Sequence, residues 1–214
     1  MMNKLSKNSI KMPISTIDLD LTNNCVLACD YCFRGAKNQR RLTLETGKAA
    51  IDWFIKESGD QEKLTVALFG GEPLMEFELI KKLVPYAVEE CEKVGKSIHF
   101  SATTNCVLIN DEMIDFFKKY KMTFHTSIDG GPESQDKYRH FPNGKGSSEI
   151  VERNVRKVLS YSPGRTARMT VSNDTVHRWM DDVHYLVGLG YKNLAMILFY
   201  AKIHLTAKFS DLEV

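Results

Sequence analysis

The sequence predicts an α/β fold in which six parallel strands alternate with five helices. Short apolar or alternating stretches recur between amphipathic ones, several of them end at Gly-rich or polar turns, and no linker or low-complexity tract divides the 214 residues. Parallel strands need long crossover connections, which helices supply. This pattern fits either an open doubly wound sheet or an incomplete barrel, and in both the carboxyl ends of the strands carry the chemistry.

The elements follow from hydrophobic periodicity and turn residues. The predicted strands are 15–21, 64–69, 97–102, 123–128, 166–171 and 193–199. The predicted helices are 43–57, beginning near Thr43, then 76–94, 111–120, 149–161 and 178–188. We expect a kink at Pro85 and a Gly-, Pro- and Ser-rich loop over 140–148. Met169, Met180 and Met196 occupy apolar positions and are expected in the core.

Composition excludes several classes of protein. Hydrophobic residues make up 43% of the chain and charged residues 26%, which argues against disorder and against a membrane bundle. The net charge of +2 provides no strong field for nucleic acid or anionic lipid. The longest apolar run, Leu194 to Ala201, is too short to cross a bilayer. Because the first 13 residues lack the apolar segment of a secretory signal, we expect a cytoplasmic protein.

Three of the five cysteines, Cys25, Cys29 and Cys32, lie within eight residues directly after the first strand. An odd, clustered set is not typical of a secreted disulfide framework. Three thiolates can bind zinc or iron, but the remaining cysteines and histidines lack the paired spacing that a zinc site uses. Three thiols in one loop suit three irons of a cubane 4Fe–4S cluster, whose fourth iron would stay open to a small molecule. A three-cysteine zinc site and three reduced loop cysteines are the alternatives.

The second strand ends at Gly70-Gly71-Glu72-Pro73. Glycine lacks a Cβ atom, so backbone at Gly70 and Gly71 can approach a ligand closely. A carbonyl oxygen there and the Glu72 carboxylate can accept hydrogen bonds from an ammonium group, and Pro73 fixes the turn. A plain turn is the alternative for this tetrapeptide taken by itself.

The spacing Cys25-x3-Cys29-x2-Cys32, with Tyr31 before the third cysteine, resembles the cluster motif of the radical S-adenosylmethionine (SAM) enzymes. Residues 70–73 resemble the GGEP motif of the same family. The resemblance implies a partial parallel (β/α)6 barrel over 15–199, with an N-terminal extension over 1–14 and an unassigned tail over 200–214.

The resemblance also implies the cofactors and the reaction. One 4Fe–4S cluster would lie on the three cysteines, and the amino and carboxylate groups of SAM would chelate its open iron, with the ammonium at the GGEP segment. A low-potential donor, flavodoxin or ferredoxin, would supply an electron, and SAM would be cleaved to methionine and a 5′-deoxyadenosyl radical that abstracts a hydrogen atom from substrate.

Other residues resemble the peptide- and protein-modifying branch of the family. Ser127 and Asp129 stand in an SIDG segment, where the serine lies near the SAM ribose; an Asx turn is the alternative for Asp129. Asn105 stands where that branch often has Thr-Asn-Gly, with Cys106 in place of the glycine, a departure that constrains the turn.

Two arginines complete the set of cofactor-binding residues that the resemblance implies. Arg139 lies in the stretch after the SIDG segment and could pair with a carboxylate, although a surface position is the alternative. Arg168 lies inside the fifth strand, where an inward side chain needs an anion such as the SAM carboxylate. An outward Arg168 would only be solvated. No catalytic acid or base is identified.

The branch implies a peptide or protein substrate, as in maturases that form thioether or carbon–carbon crosslinks. Anaerobic sulfatase maturation, which oxidises Cys or Ser to formylglycine, is the nearest competitor. No cysteine follows Cys106, so we expect the chain to lack the C-terminal SPASM region of this branch, either as a minimal core or as a fragment with exposed apolar surface. A degenerate module that binds a cluster without turnover remains an alternative.

Overall fold

One sheet of six parallel strands, in the order β1-β2-β3-β4-β5-β6, forms the centre of the computed structural model, which describes residues 13–34, 40–161 and 165–199. The strands are β1 Thr16–Asp20, β2 Lys63–Phe69, β3 Ser97–Thr104, β4 Thr123–Ser127, β5 Thr166–Ser172 and β6 Asn193–Phe199. The helices are α1 Leu44–Glu57, α2 Phe77–Lys93, α3 Asp111–Lys119, α4 Pro132–Tyr138, α5 Ser148–Tyr161 and α6 Trp179–Leu189. Short 3-10 helices cover Pro73–Glu76 and Val176–Arg178.

The sequential strand order decides between the two predicted architectures. When each new strand is added on the same side of the one before it, right-handed crossovers place every helix on the same face of the sheet. In a doubly wound sheet the strand order reverses part-way, and helices cover both faces. The burial pattern agrees with helices on one face only. Val66, Leu68 and Phe100 are buried, and Val66 and Phe100 are register partners on neighbouring strands. The fold is therefore a partial parallel (β/α)6 barrel, as predicted. We call the helix-covered face of the sheet convex and the opposite face concave.

The core lies between the sheet and the helices. Phe117 of α3 is fully buried and packs edge-on against Phe77, with ring centroids 6.0 Å apart. It also meets Phe124 of β4 at 4.3 Å. This aromatic group joins α2, α3 and β4 and so holds the middle of the sheet in place.

Helix α4 is the element that the sequence analysis missed, because Pro132–Tyr138 was read as part of a connection. Its sequence, PESQDKY, has no apolar stripe, and its buried residues are the polar Ser134 and Gln135. A separate 3-10 turn precedes helix α2, which continues through Pro85; the kink expected there stays a prediction. Strand β3 extends two residues past its predicted end, to Thr104.

The predictions for the three methionines held only in part. Met169 on β5 is fully buried, but Met196, its register partner on β6, is 42% exposed and Met180 is 43% exposed. Both exposed methionines belong to the last helix and strand, and among the described residues no helix follows β6 to cover its convex face.

Most of the predicted N-terminal extension, and all of 200–214, lie outside the described residues. Within the described part of the chain, no helix has the length and apolar character needed to span a membrane.

Candidate functional site

The cysteine loop leaves the end of β1 and turns back across the carboxyl edge of the sheet. Cys25 and Cys29 are half-buried and Cys32 is exposed. The backbone N–H of Leu27 donates to Cys25 Sγ at 3.4 Å, and Asn105 Nδ2 lies 3.5 Å from the same sulfur. The loop after β3 therefore reaches the first cysteine of the loop after β1.

The donor set fits a cluster better than a single ion. None of the five cysteines, all in the described part of the chain, forms a disulfide. Among the described residues, no three His, Cys, Asp or Glu side chains are arranged to hold one metal ion. A cubane cluster takes one thiolate per iron, so three thiols in one loop suit three of its irons. Burial raises the pKa of Cys29 to about 11, so metal binding there must displace a proton.

The two glycines of the GGEP loop are required by the cysteine loop itself. The N–H of Gly71 donates to Thr22 O at 2.7 Å, and that of Glu72 donates to Asn24 O at 2.8 Å. A Cβ on Gly71 would lie 2.3 Å from Asn24 O, and one on Gly70, where φ is 154°, would lie 2.7 Å from Thr22 O. The close approach made possible by the glycines is thus to the backbone before Cys25. The approach of this backbone to a ligand stays a prediction.

The Glu72 side chain links the GGEP loop to the end of β3. It is 1% exposed, and its Oε1 accepts hydrogen bonds from Leu74 N at 3.0 Å and Thr104 Oγ1 at 2.8 Å. Its Oε2 accepts from Asn105 N at 2.8 Å. Burial raises the pKa of Glu72 to about 7, and the three donors act in the opposite direction. Pro73, also buried, opens the 3-10 turn that Glu72 caps, while the proposed contact of this carboxylate with an ammonium stays a prediction.

The turn after β3 carries the departure noted in the sequence. Cys106 adopts φ of 63°, a left-handed conformation that is uncommon outside glycine, asparagine and aspartate. Asn105 Oδ1 accepts from Val107 N at 3.0 Å, and Asn154 Nδ2 donates to Cys106 O at 2.8 Å. These bonds hold the turn so that the Asn105 amide faces Cys25.

A buried polar network joins the cysteine loop to β4 and β5. Tyr31 OH donates to Asp129 Oδ2, while Asp129 Oδ1 accepts from Thr170 N at 2.8 Å. Arg139 Nε lies 3.0 Å from the same Oδ1, and its guanidinium lies 5.2 Å from the Tyr31 ring centroid. Asp129 therefore reaches across to β5 instead of forming a local Asx turn. Arg139, at 8% exposed, is not a surface residue.

Ser127 and Arg168 face each other across neighbouring strands. They are register partners on β4 and β5, and both are half-buried. Their neighbours Thr126 and Ala167 point to the convex face and are buried. Because side chains alternate along a strand, Ser127 and Arg168 lie on the concave face, which is the inward orientation considered for Arg168.

Sequence reasoning missed two side chains of this site. Thr104 donates to Glu72 and accepts from Cys106 N at 3.0 Å. Gln135 Oε1 accepts from Asp129 N at 2.9 Å, and it lies on α4, which was not predicted. A hydroxyl at a strand end is a weak signal for the first residue, and nothing in the sequence signals the second.

Residues 19–186 match the Radical SAM superfamily. The chain belongs to this superfamily. Radical SAM proteins use a 4Fe–4S cluster and SAM, and these are the cofactors of this chain. The described structure brings the superfamily's two motif loops into direct contact at the carboxyl edge of the sheet.

Characterised and uncharacterised radical SAM relatives match most of the chain. An uncharacterised protein of Methanocaldococcus jannaschii is 30% identical over 184 residues, covering 86% of this chain and 62% of that protein. A cysteine-type anaerobic sulfatase-maturating enzyme of Clostridium novyi is 28% identical over 171 residues, covering 76% of this chain and 45% of the enzyme. The chain thus spans about half to two thirds of the length of these relatives.

A solved structure shares the fold. Native anSMEcpe with bound AdoMet and Cp18Cys peptide has a TM-score of 0.78 to this chain at 22% sequence identity, covering 87% of this chain and 51% of that one. At this identity the likeness shows the fold alone.

Proposed function

We propose that this chain is the catalytic core of a radical SAM enzyme that abstracts a hydrogen atom from a peptide or protein side chain. The observation that carries the proposal is the convergence of two motif loops and the β3 turn: Glu72 holds Asn105, and Asn105 reaches Cys25. When bound, the cluster and SAM supply reductive cleavage to a 5′-deoxyadenosyl radical, with an electron from a low-potential donor such as flavodoxin or ferredoxin.

The chain's own residues set the environment of the cluster. Cys25, Cys29 and Cys32 are the proposed ligands. The donors from Leu27 N and Asn105 Nδ2 stabilise negative charge on the Cys25 sulfur, and hydrogen bonds to cluster sulfurs tune its reduction potential. Removing the Asn105 amide should make the cluster harder to reduce.

The proposed SAM-binding residues surround the same edge. Gly70, Gly71 and Glu72 offer backbone carbonyls and a carboxylate to the SAM ammonium, and Ser127 offers a hydroxyl to the ribose. Tyr31 is held in place by Asp129, which is in turn held by Arg139. This network fixes the position of the aromatic ring beside Cys32.

The comparisons support a peptide or protein substrate. The Clostridium novyi relative is a sulfatase-maturating enzyme, and the anSMEcpe structure holds a peptide. These two findings favour sulfatase maturation as the second candidate beside a maturase that crosslinks a ribosomal peptide. Both reactions begin with the same hydrogen abstraction, so the proposed core chemistry is common to them.

Production of 5′-deoxyadenosine tests the proposal directly. The anaerobically reconstituted protein is incubated with SAM and dithionite, and the nucleoside is quantified by chromatography. We expect turnover in the wild-type chain, loss of it in Cys29→Ala, and retention in Cys91→Ala, because Cys91 is buried within α2 away from the loop. A stable cluster that yields no 5′-deoxyadenosine would instead identify a binding module without turnover.

A further inference from the structure

The concave face of the sheet is basic on the side of β3, β4 and β5. His99, His125 and Arg168 alternate with buried convex residues and therefore project from this face. His125 pairs with Thr166, and Ser127 pairs with Arg168. His125 and Arg168 are thus diagonal neighbours, a relation that long side chains can bridge.

No acidic group neutralises Arg168. Within the described part of the chain, its guanidinium makes no hydrogen bond or ion pair. Asp129, which follows β4 and accepts from Thr170 N on the strand of Arg168, is already bonded to Tyr31 OH and paired with Arg139. Two further acidic residues of the concave face, Asp18 and Asp20, lie on β1 at the far edge of the sheet. There Asp20 is already paired with Arg34 at 2.9 Å. Arg165, at the start of β5, donates from Nη2 to Met122 O at 3.3 Å.

The electrostatics of His125 agree with this placement. Burial lowers its pKa most, followed by the positive charges of Arg168 and then Arg165. The His125 side chain is nevertheless exposed and that of Arg168 is half-buried, so a ligand can reach both. A half-buried cation without a counter-ion, beside a second basic group, favours an anionic ligand.

This anion site stands apart from the loops proposed to hold the methionine end of SAM. Those loops follow β1 and β2, whereas Arg168 lies on β5, three strands from β2. At about 4.8 Å per strand, the separation across the sheet is about 14 Å. Arg168 therefore faces the part of the concave face left for substrate, a different role from the SAM carboxylate contact that the sequence suggested.

We propose that Arg168, with His125 beside it, binds an oxyanion of the substrate, a carboxylate or a phosphate group. A guanidinium offers parallel N–H donors that match both groups. The inference rests on the proposed function only for the location of substrate on the concave face. It predicts that a substrate peptide carries an acidic group near the side chain that loses hydrogen.

Saturation-transfer NMR on the reconstituted protein with SAM tests this site. The probes are N-acetyl-glutamate methylamide and its glutamine counterpart, with inorganic phosphate as a competitor. We expect the glutamate compound to bind better than the glutamine compound, and Arg168→Gln to weaken its binding about tenfold. Arg153→Gln, which removes the same charge from the exposed side of α5, should have no effect.

The outcomes separate the anion site from the proposed function. Binding of phosphate but not glutamate, lost in Arg168→Gln, supports the site with a phosphate as its source. Failure of both anions to bind, or equal binding to wild type and Arg168→Gln, overturns it. Loss of the SAM effect on the cluster's EPR spectrum in Arg168→Gln also overturns it, because Arg168 would then serve SAM. Absence of that effect in the wild type contradicts the proposed function instead.

Discussion

At Glu72, burial and hydrogen bonding act on the carboxyl pKa in opposite directions, and burial prevails. The folded-state pKa is about 7, against 4.5 for the exposed group. Between these values the folded protein retains a proton that the unfolded chain has released, so this group lowers stability as pH rises from about 4.5 to about 7 and adds no further slope above that range. The total effect is on the order of 3 kcal/mol.

Glu72→Gln removes this titration. We expect the variant to be less stable than wild type at every pH. The NH2 group of the glutamine would face one of the three groups that donate hydrogen bonds to Glu72, and that bond would be lost. The difference in unfolding free energy should shrink by up to about 3 kcal/mol from pH 4.5 to 7. Denaturant titrations of both proteins across this range measure it. A difference that stays constant with pH would show that Glu72 titrates normally.

The second prediction at the residue scale concerns Asp129. Asp129→Ala strands the buried Arg139 guanidinium and leaves Tyr31 OH without its acceptor, so unfolding should become easier by about 3 kcal/mol or more. Asp174→Ala is the matched control, because that carboxylate is 61% exposed and lies 3.7 Å from Lys137. Its loss should cost no more than about 1 kcal/mol. Equal melting temperatures of the two variants would contradict the network described above.

At the scale of elements, the contact between the cysteine loop and the GGEP loop depends on a missing Cβ. Gly71→Ala should displace the loop before Cys25, lower thermal stability and reduce the iron incorporated on reconstitution. Gly188→Ala, on the exposed side of α6 with no atom within 4 Å of the added carbon, is the control and should be stabilised by up to about 1 kcal/mol. Full iron loading of Gly71→Ala would show that the loops do not depend on this contact.

The same scale shows what sequence could and could not predict. Strands and helices with clear periodicity were predicted to within a few residues, and the bounds of β6 were predicted correctly. An element with one buried face places apolar residues at regular intervals along the sequence, and that regularity is what the sequence shows. Helix α4 was missed because polar anchors, Ser134 and Gln135, hold it in place of an apolar stripe. The motifs located the cysteines, but the bond from Tyr31 to Asp129 joins residues 98 positions apart, a pairing that only the folded topology creates.

For the whole molecule, the described part of the chain is unevenly covered. Seven of its eleven exposed large hydrophobic residues lie between Val176 and Phe199. Among the described residues, the outer edge of β6 is unpaired and no helix covers its convex face, which makes self-association a hazard.

Met169 and Met196 are register partners, one buried and one exposed, so substituting each of them tests this uneven coverage of the sheet. Met169→Ala opens a cavity in the core and should destabilise the protein by about 2–5 kcal/mol. Met196→Ala, on the exposed strand, should change stability by no more than about 0.5 kcal/mol and reduce concentration-dependent light scattering. Comparable losses for the two variants would mean that β6 is covered in solution.

The central claim concerns the whole site: three cysteines hold a cluster whose open iron takes SAM. The measurement that tests it most directly is EPR of the anaerobically reconstituted, dithionite-reduced protein with and without SAM. We predict a 4Fe–4S signal that changes when SAM is added and that is absent from Cys29→Ala. A cluster indifferent to SAM, or a protein that retains zinc and assembles no cluster, would contradict the account.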